Sequence, residues 1–274
     1  MLIAVCCDRG SPGATTTALA LGVASEEPTV VVEADPYGGD LAIRCAARGE
    51  AFPPTPTVLT LATEARTSMH PGLVASKGHD FTATTRVVTG HLSTEQGAGV
   101  KNWAPLAEAL RCSSTPVVAD LGRIHASSPS VPVAAAADVV VLVTRPERGA
   151  VIHLRDRLDR LAPVLAGIRN APPLVIPVVV APKRIASAVT SHIEVALASC
   201  NAAGVLAGVG CIALDPSGVE AMYAGEVEGR HARTPLLKSA GVLREQINQI
   251  TGHVYPAPEP VLDDAVTTHG GAVR

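Results

Sequence analysis

Short uninterrupted apolar runs alternate along the chain with stretches whose apolar positions recur every three or four residues. Continuous apolar runs suit strands buried on both faces, and helical stretches between them suit crossovers, so the pattern predicts a parallel sheet covered on two sides. The runs are "LIAVCC" (2–7), "TVVVEA" (29–34), "TRVVT" (85–89), "PVVADL" (116–121), "DVVVLVT" (138–144), "LVIPVVVA" (174–181) and "GVGCIAL" (208–214). The clearest helix covers 150–166, where Val151, Leu154, Leu158, Leu161 and Leu165 form one stripe and Asp156 and Arg160 pair at i,i+4 on the other side. No run pairs with a neighbour as a hairpin. The expected fold is therefore α/β, a three-layer, doubly wound, mostly parallel sheet of about seven strands.

Two stretches break the alternation. Residues 49–84 contain "FPPTPT", a short helix near 57–66 and a segment rich in Gly, Pro and His, and read as a surface elaboration. Residues 251–274 are Pro-rich and weakly apolar, too poor in apolar surface to offset ordering entropy, and read as a disordered tail. Neither an internal repeat nor a second domain boundary is visible, which leaves residues 1–250 as the folded unit.

Composition narrows the function classes. A net charge of -3 gives no overall pull toward nucleic acid or anionic membrane, and aromatics at 2% make a base-stacking surface improbable. The basic residues Arg230, Arg233, Lys238 and Arg244 are scattered and suit a solvated face better than a phosphate-binding stripe. Acids interleave Arg155, Arg157 and Arg160 and imply the same for that helix. The six cysteines show no C-x-x-C pair; Cys6 and Cys7 fall on a buried strand and read as core, in keeping with a reducing cytosol. No apolar run approaches the ~20 residues of a membrane span, so the expected location is cytoplasmic, without an integral membrane segment. The nine histidines form no H-x-x-x-H spacing.

Three strand ends carry candidate chemistry. "DRGSPGATTTALALG" (8–22) follows the first strand and opens a helix, an arrangement that points consecutive amides into an anion-binding nest. It approaches G-x-x-x-x-G-K-[ST], with Thr15 for the hydroxyl and Ala14 where the lysine stands. Alone, it also reads as a tight turn with a Thr cap. "VVVEADPYGGDLA" places Glu33, Asp35 and Asp40 at the carboxyl end of the next strand, where open α/β sheets build their sites, although Asp35-Pro36 also suits a turn and Asp40 a helix N-cap. "PVVADLGR" ends a strand in Asp120, the placement of an acid that binds Mg²⁺.

With these blocks, "DVVVLVTRPERGAV" and "GVGCIALDPSGVEAMYAGEV", residues 1–250 resemble the ParA/MinD group of P-loop proteins. These SIMIBI-class, deviant-Walker ATPases position plasmids, division proteins, pili and secretion machinery. The resemblance implies a loop of the form K-G-G-x-G-K-T-T. On it, Arg9 falls on the signature lysine that reaches a dimer partner's nucleotide, Ser11 replaces a glycine, Gly10 and Gly13 are kept, and Pro12 takes the variable place. Ala14 falls on the phosphate lysine, Thr15 on the magnesium ligand and Thr16 on the next phosphate contact. Asp35 falls on the water-orienting aspartate, Asp120 on the Walker-B aspartate, and Asp215 on the segment bordering the adenine.

The departures set the functional expectation. Losing the lysine removes a charge-assisted phosphate contact worth roughly 1.5 to 3 kcal/mol, together with transition-state stabilisation. The chain is expected to be a degenerate regulatory or positioning factor for a protein partner machine, with binding of ATP and Mg²⁺ weak or lost and a homodimer possible. A working ATPase using Arg9 and the amide nest, and a DNA-associated partition protein, stay as alternatives, the latter disfavoured by charge.

Overall fold

The computed structural model describes residues 1–10, 12–47, 50–168 and 171–253. In chain order, β1 (Leu2–Cys7) leads into α1 (Ala14–Val23), and β2 (Thr29–Glu33) into the one-turn α2 (Leu41–Arg44). A two-residue pairing of β3 (Ala46–Ala47) with β4 (Glu50–Ala51) follows, then α3 (Val58–Glu64), α4 (Leu73–Ser76), β5 (His79–Asp80) and β6 (Thr85–Val88). The middle of the chain runs α5 (Thr94–Ala98), α6 (Ala104–Arg111), β7 (Val117–Arg123), α7 (Val131–Ala136), β8 (Val139–Thr144) and α8 (Arg148–Ile168). The last elements are β9 (Leu174–Ala181), α9 (Ala186–Leu197), β10 (Gly210–Ala213), α10 (Pro216–Tyr223) and α11 (Pro235–Thr251).

Among the described residues one eight-stranded sheet runs in the order β10-β9-β8-β1-β7-β2-β6-β5. All of its pairings are parallel except β5 with β6, an antiparallel edge. The expected α/β, doubly wound, mostly parallel fold is therefore the fold observed. The sequence-based runs miss only β5, whose two polar residues carry no periodic signal, and end the strand of Asp120 at Leu121 where it continues to Arg123.

The strand alternation divides the core into two layers. Leu2, Ala4 and Cys6 of β1 pack with α6, α7, α8 and α9 on one face; Ile3, Val5 and Cys7 pack with α1, α10 and α11 on the other. The segment 49–84, expected as a surface elaboration, also contributes to the first layer: Val58 and Leu61 of α3 and Leu73 and Val74 of α4 are at most 1% exposed. The short helix read near 57–66 is α3, whereas α4, four residues long, shows no period in sequence. At the far end, Thr251 closes α11 and His253 follows its cap, whereas residues 254–274 of the expected tail lie outside the described residues.

Central position in the sheet aligns the chemistry-bearing strand ends. β1 lies between β7 and β8, and the registers set Val5 opposite Asp120 on one side and Glu33 opposite Asp120 on the other. The loop after β1, Asp120 and the turn after Glu33 thus meet at one carboxyl edge.

Candidate functional site

Two adjoining cavities open along that edge. The first, about 750 Å³, is lined by Gly10, Pro12, Gly13, Ala14, Thr15 and Thr16 from the loop, by Asp35, Tyr37, Asp40 and Arg44 from the turn after β2 and from α2, and by Gly122, Arg123 and His125 from the end of β7. The second, about 550 Å³, shares Pro12, Gly13, Thr16 and Arg44 with it and continues over Val180, Ile212, Leu214, Asp215 and Val219. One is walled by loop amides and charge, the other mostly by aliphatic carbon, and the two share part of the loop as a common wall.

The loop leaves β1 through Asp8, which pairs with Arg157 of α8 and, at 3.7 Å, with Arg9. Arg157 therefore anchors the loop to α8 instead of joining a solvated basic face. Gly10 (φ 73°) and Gly13 (φ 99°) adopt left-handed backbone that side chains oppose, and Gly13 serves as the N-cap of α1. A glycine cap offers no side-chain acceptor, so the first-turn amides of α1 face the cavity together with the positive end of the helix dipole. Ala14 begins this helix and is 6% exposed; it contributes no charge. Ser11 lies outside the described residues.

Thr15 and Asp120 come together beneath the loop. The Thr15 hydroxyl lies against the Asp120 carboxylate and favours its charged form, as does the Gly122 amide, which donates to Oδ1 at 3.0 Å. Burial outweighs both and raises the Asp120 pKa. Its Oδ2 is buried and makes no hydrogen bond of good geometry among the described residues. A hydroxyl and an under-satisfied carboxylate oxygen, both hard donors, fit a Mg²⁺ ion that takes its remaining ligands from phosphate and water.

Asp35 sits half-buried at the mouth of the same cavity. Burial lifts its pKa to about 7, with Asp120 and Asp40 adding repulsion and the Tyr37 amide (2.8 Å to Oδ1) and Arg123 opposing it. Gly122 (φ 58°) packs directly on its carboxylate, and a Cβ there would overlap Asp35. Glu33 stands behind Asp35 and is 1% exposed. It accepts from the Asp40 amide at 2.8 Å, the Leu41 amide at 3.0 Å and the Gly90 amide at 2.8 Å. Asp40 occupies the N-cap of α2, yet its side chain makes no cap bond; Glu33 accepts from the Asp40 and Leu41 amides that open the helix. Burial and the charge of Asp120 raise Glu33 to about 7, against the three amides.

The remaining expected residues are distributed around this centre. Arg9 is 66% exposed and borders a smaller depression beside Val143 and His153, outside the lining of the two main cavities. Asp215 lines the aliphatic cavity, where its carboxylate accepts from the Gly218 and Leu236 amides at 3.1 and 3.2 Å and so pins the starts of α10 and α11 together. Arg244, counted from sequence among possible phosphate contacts, is 4% exposed and donates to Glu27 at 2.9 Å; it belongs to the interior. Cys7 lines the first cavity, but burial and Asp120 hold its thiol up at about 12, so it is no nucleophile at neutral pH.

Two contributors had no sequence signal. Tyr223, at the end of α10, is 6% exposed and its hydroxyl lies 3.0 Å from Thr16 Oγ1. The Arg44 guanidinium lies over the Tyr223 ring, 4.1 Å from its centroid. Both contacts join elements far apart in sequence, and only the fold brings them together.

No family model matches the chain, and it is similar in sequence to no curated protein. Solved structures match it in three dimensions. A ParA family ATPase from Chlorobium tepidum TLS superposes with a TM-score of 0.67 at 12% identity, over 89% of this chain and 98% of that one. The septum site-determining protein MinD of Pyrococcus horikoshii, solved in complex with Mg-ADP, gives 0.61 at 14% identity over 92% and 97%. A MinC:MinD cell division complex from Aquifex aeolicus gives 0.58 at 15% over 93% and 97%. At these identities the likeness establishes architecture: the chain has the fold of ParA/MinD ATPases.

Proposed function

We propose that this chain is a ParA/MinD-like nucleotide-binding protein that serves as a regulatory or positioning factor for a partner machine in partition, pilus or secretion systems, with ATP hydrolysis weak or absent. The observation that carries the proposal is a cavity lined by an amide-rich loop and the first turn of a glycine-capped helix, in which Ala14 stands where the resemblance implies a lysine. Such a site keeps the backbone attraction for phosphate and has lost one charge-assisted contact.

In this reading Gly10, Gly13, Ala14, Thr15 and Thr16 cradle the phosphates through their amides, Ser11 joins them only as the resemblance implies, and Pro12, which has no N–H, shapes the loop. The aliphatic cavity beside Asp215 takes the base. Thr15 and Asp120 hold Mg²⁺, which when bound offsets the phosphate charge that the missing lysine no longer meets. Asp35 orients water, and Arg9, exposed and outside the lining of its own cavity, is the residue that the resemblance assigns to a second copy in a face-to-face homodimer. The Mg-ADP complex of the Pyrococcus horikoshii protein supports the cofactor assignment, and the MinC:MinD complex supports a protein partner. Burial of Arg244 argues against the DNA-associated alternative. No helix among the described residues is long and apolar enough to cross a membrane, and we place the protein in the cytoplasm.

One observation favours the working-ATPase alternative. Asp35 has its pKa raised to about 7, close to the value at which a base can accept a proton near neutrality. Calorimetric titration with ATP, with and without Mg²⁺, paired with a steady-state hydrolysis assay, decides between the readings. Weak, Mg²⁺-strengthened binding without turnover is expected; Mg²⁺-dependent turnover supports the alternative, and absence of binding overturns both.

A further inference from the structure

A phosphate ligand on this loop meets amides and a hydroxyl but no cation from the loop's own inward positions, because residue 14 is alanine. The first cavity nevertheless has two arginines in its wall. Arg123 lies among acids and acts electrostatically on Asp35 and Cys7. Arg44 is placed differently. It ends the one-turn α2, its side chain is exposed, and it forms no ion pair among the described residues. It is the arginine that lines both cavities, standing where the polar and aliphatic halves meet around Gly13 and Thr16.

Its position is held from two sides. Glu33 accepts the first amides of α2 and so fixes the helix against the end of β2. The ring of Tyr223 lies under the guanidinium, and the Tyr223 hydroxyl is bonded to Thr16 in the first turn of α1. A planar guanidinium stacked on a ring keeps its N–H edges free for oxygen, which suits bidentate phosphate contact.

We propose that Arg44 binds the nucleotide phosphates in cis, supplying from α2 the positive charge that the loop lacks, with Tyr223 as the positioning residue that ties it to Thr16. The ligand class is a nucleoside di- or triphosphate, because a cation at the junction of the two cavities faces the phosphate chain and not the base. The assignment rests on the nucleotide-binding reading above.

The test is calorimetric titration of the full chain with ATP, ADP and AMP in the presence of Mg²⁺, for wild type, Arg44→Ala, Arg44→Lys and Tyr223→Phe. Because Arg44 is exposed, Arg44→Ala is expected to melt as wild type does. It should weaken ATP and ADP by about 10- to 100-fold and leave AMP within a few-fold, as expected for one charge-assisted contact to the outer phosphates. Arg44→Lys, which keeps the charge but not the planar fork, should recover only part of the loss, and Tyr223→Phe, which keeps the ring but frees Thr16, should give a smaller loss confined to ATP and ADP. Wild-type ATP affinity in Arg44→Ala, or an equal loss for all three nucleotides, overturns the assignment while leaving nucleotide binding standing. If wild type binds none of the three, the nucleotide reading falls and this assignment with it.

Discussion

The two edges of one sheet bury acids by opposite means. At the amino edge, Glu27 in the turn before β2 is 6% exposed and meets Arg244 at 2.9 Å and His253 at 2.8 Å. At the carboxyl edge, Glu33 and Asp120 are each 1% exposed and are met by backbone amides and a threonine, with no arginine or lysine paired to them among the described residues. A buried charge without a counterion is costly, and the raised pKa values of Glu33, Asp35 and Asp120 express that cost. The chain gives the amino-edge acid its own cation. Among the described residues, Glu33 and Asp120 beside the candidate site are met by amides and a hydroxyl alone.

The amino edge offers the largest expected effect. Arg244→Met leaves Glu27 buried beside His253 alone and should cost about 3 to 5 kcal/mol in urea unfolding. The double variant Glu27→Leu/Arg244→Met should recover most of that loss, because the buried charge goes with its partner. Equal instability of the single and double variants would mean that Arg244 acts through packing and not through Glu27.

The carboxyl edge should show its difference in pH dependence. Glu33 is raised from 4.5 to about 7, so the folded state holds a proton in that interval that the unfolded state has released. Its contribution to stability is complete below pH ~4.5 and is lost as pH rises through about 7, flattening above; half-buried Asp35 acts in the same direction. For Glu33 the loss is about 3 kcal/mol. Urea unfolding of wild type and Glu33→Gln at pH 5 and pH 8 isolates it: the variant should gain on wild type by about that amount between the two. Mg²⁺, which needs the ionised acids, should stabilise the protein more at pH 8 than at pH 5. A constant difference between the proteins would mean that Glu33 does not stay protonated in the folded state between those pH values.

A smaller effect is expected from backbone geometry at the same edge. Gly122→Ala places a Cβ in left-handed backbone and onto the Asp35 carboxylate, at a cost of about 1 to 3 kcal/mol. Gly149→Ala, in α8, meets open space and should stabilise by about 0.5 to 1 kcal/mol. Thermal melting of the two variants compares them, and equal shifts would deny that Gly122 is required by Asp35.

The sheet is legible in sequence because its central strands are buried on both faces: β1 and β9 coincide with uninterrupted apolar runs end to end. The edge is not, since His79 and Asp80 are polar and gain their strand conformation from pairing with β6. In the site, Thr15 and Asp35 are readable because each follows a recognisable run at a short spacing, and Asp120 because it lies near the end of one. Arg44 and Tyr223 are not, for a four-residue helix has no period and a contact between α2 and α10 has no local signature. Glu33 shows the same limit: its sequence context marks an acid at a strand end, and only the three amides around it reveal a structural duty.

In the proposed reading the loop keeps its amide cradle and lacks only a charge. ATP affinity of wild type and Ala14→Lys, measured side by side with Mg²⁺ and with turnover recorded on the same samples, tests it most directly. The lysine variant should bind tighter by about 10- to 100-fold, without the appearance of efficient hydrolysis. Equal affinity in the two proteins, with wild type already turning over ATP, would contradict it.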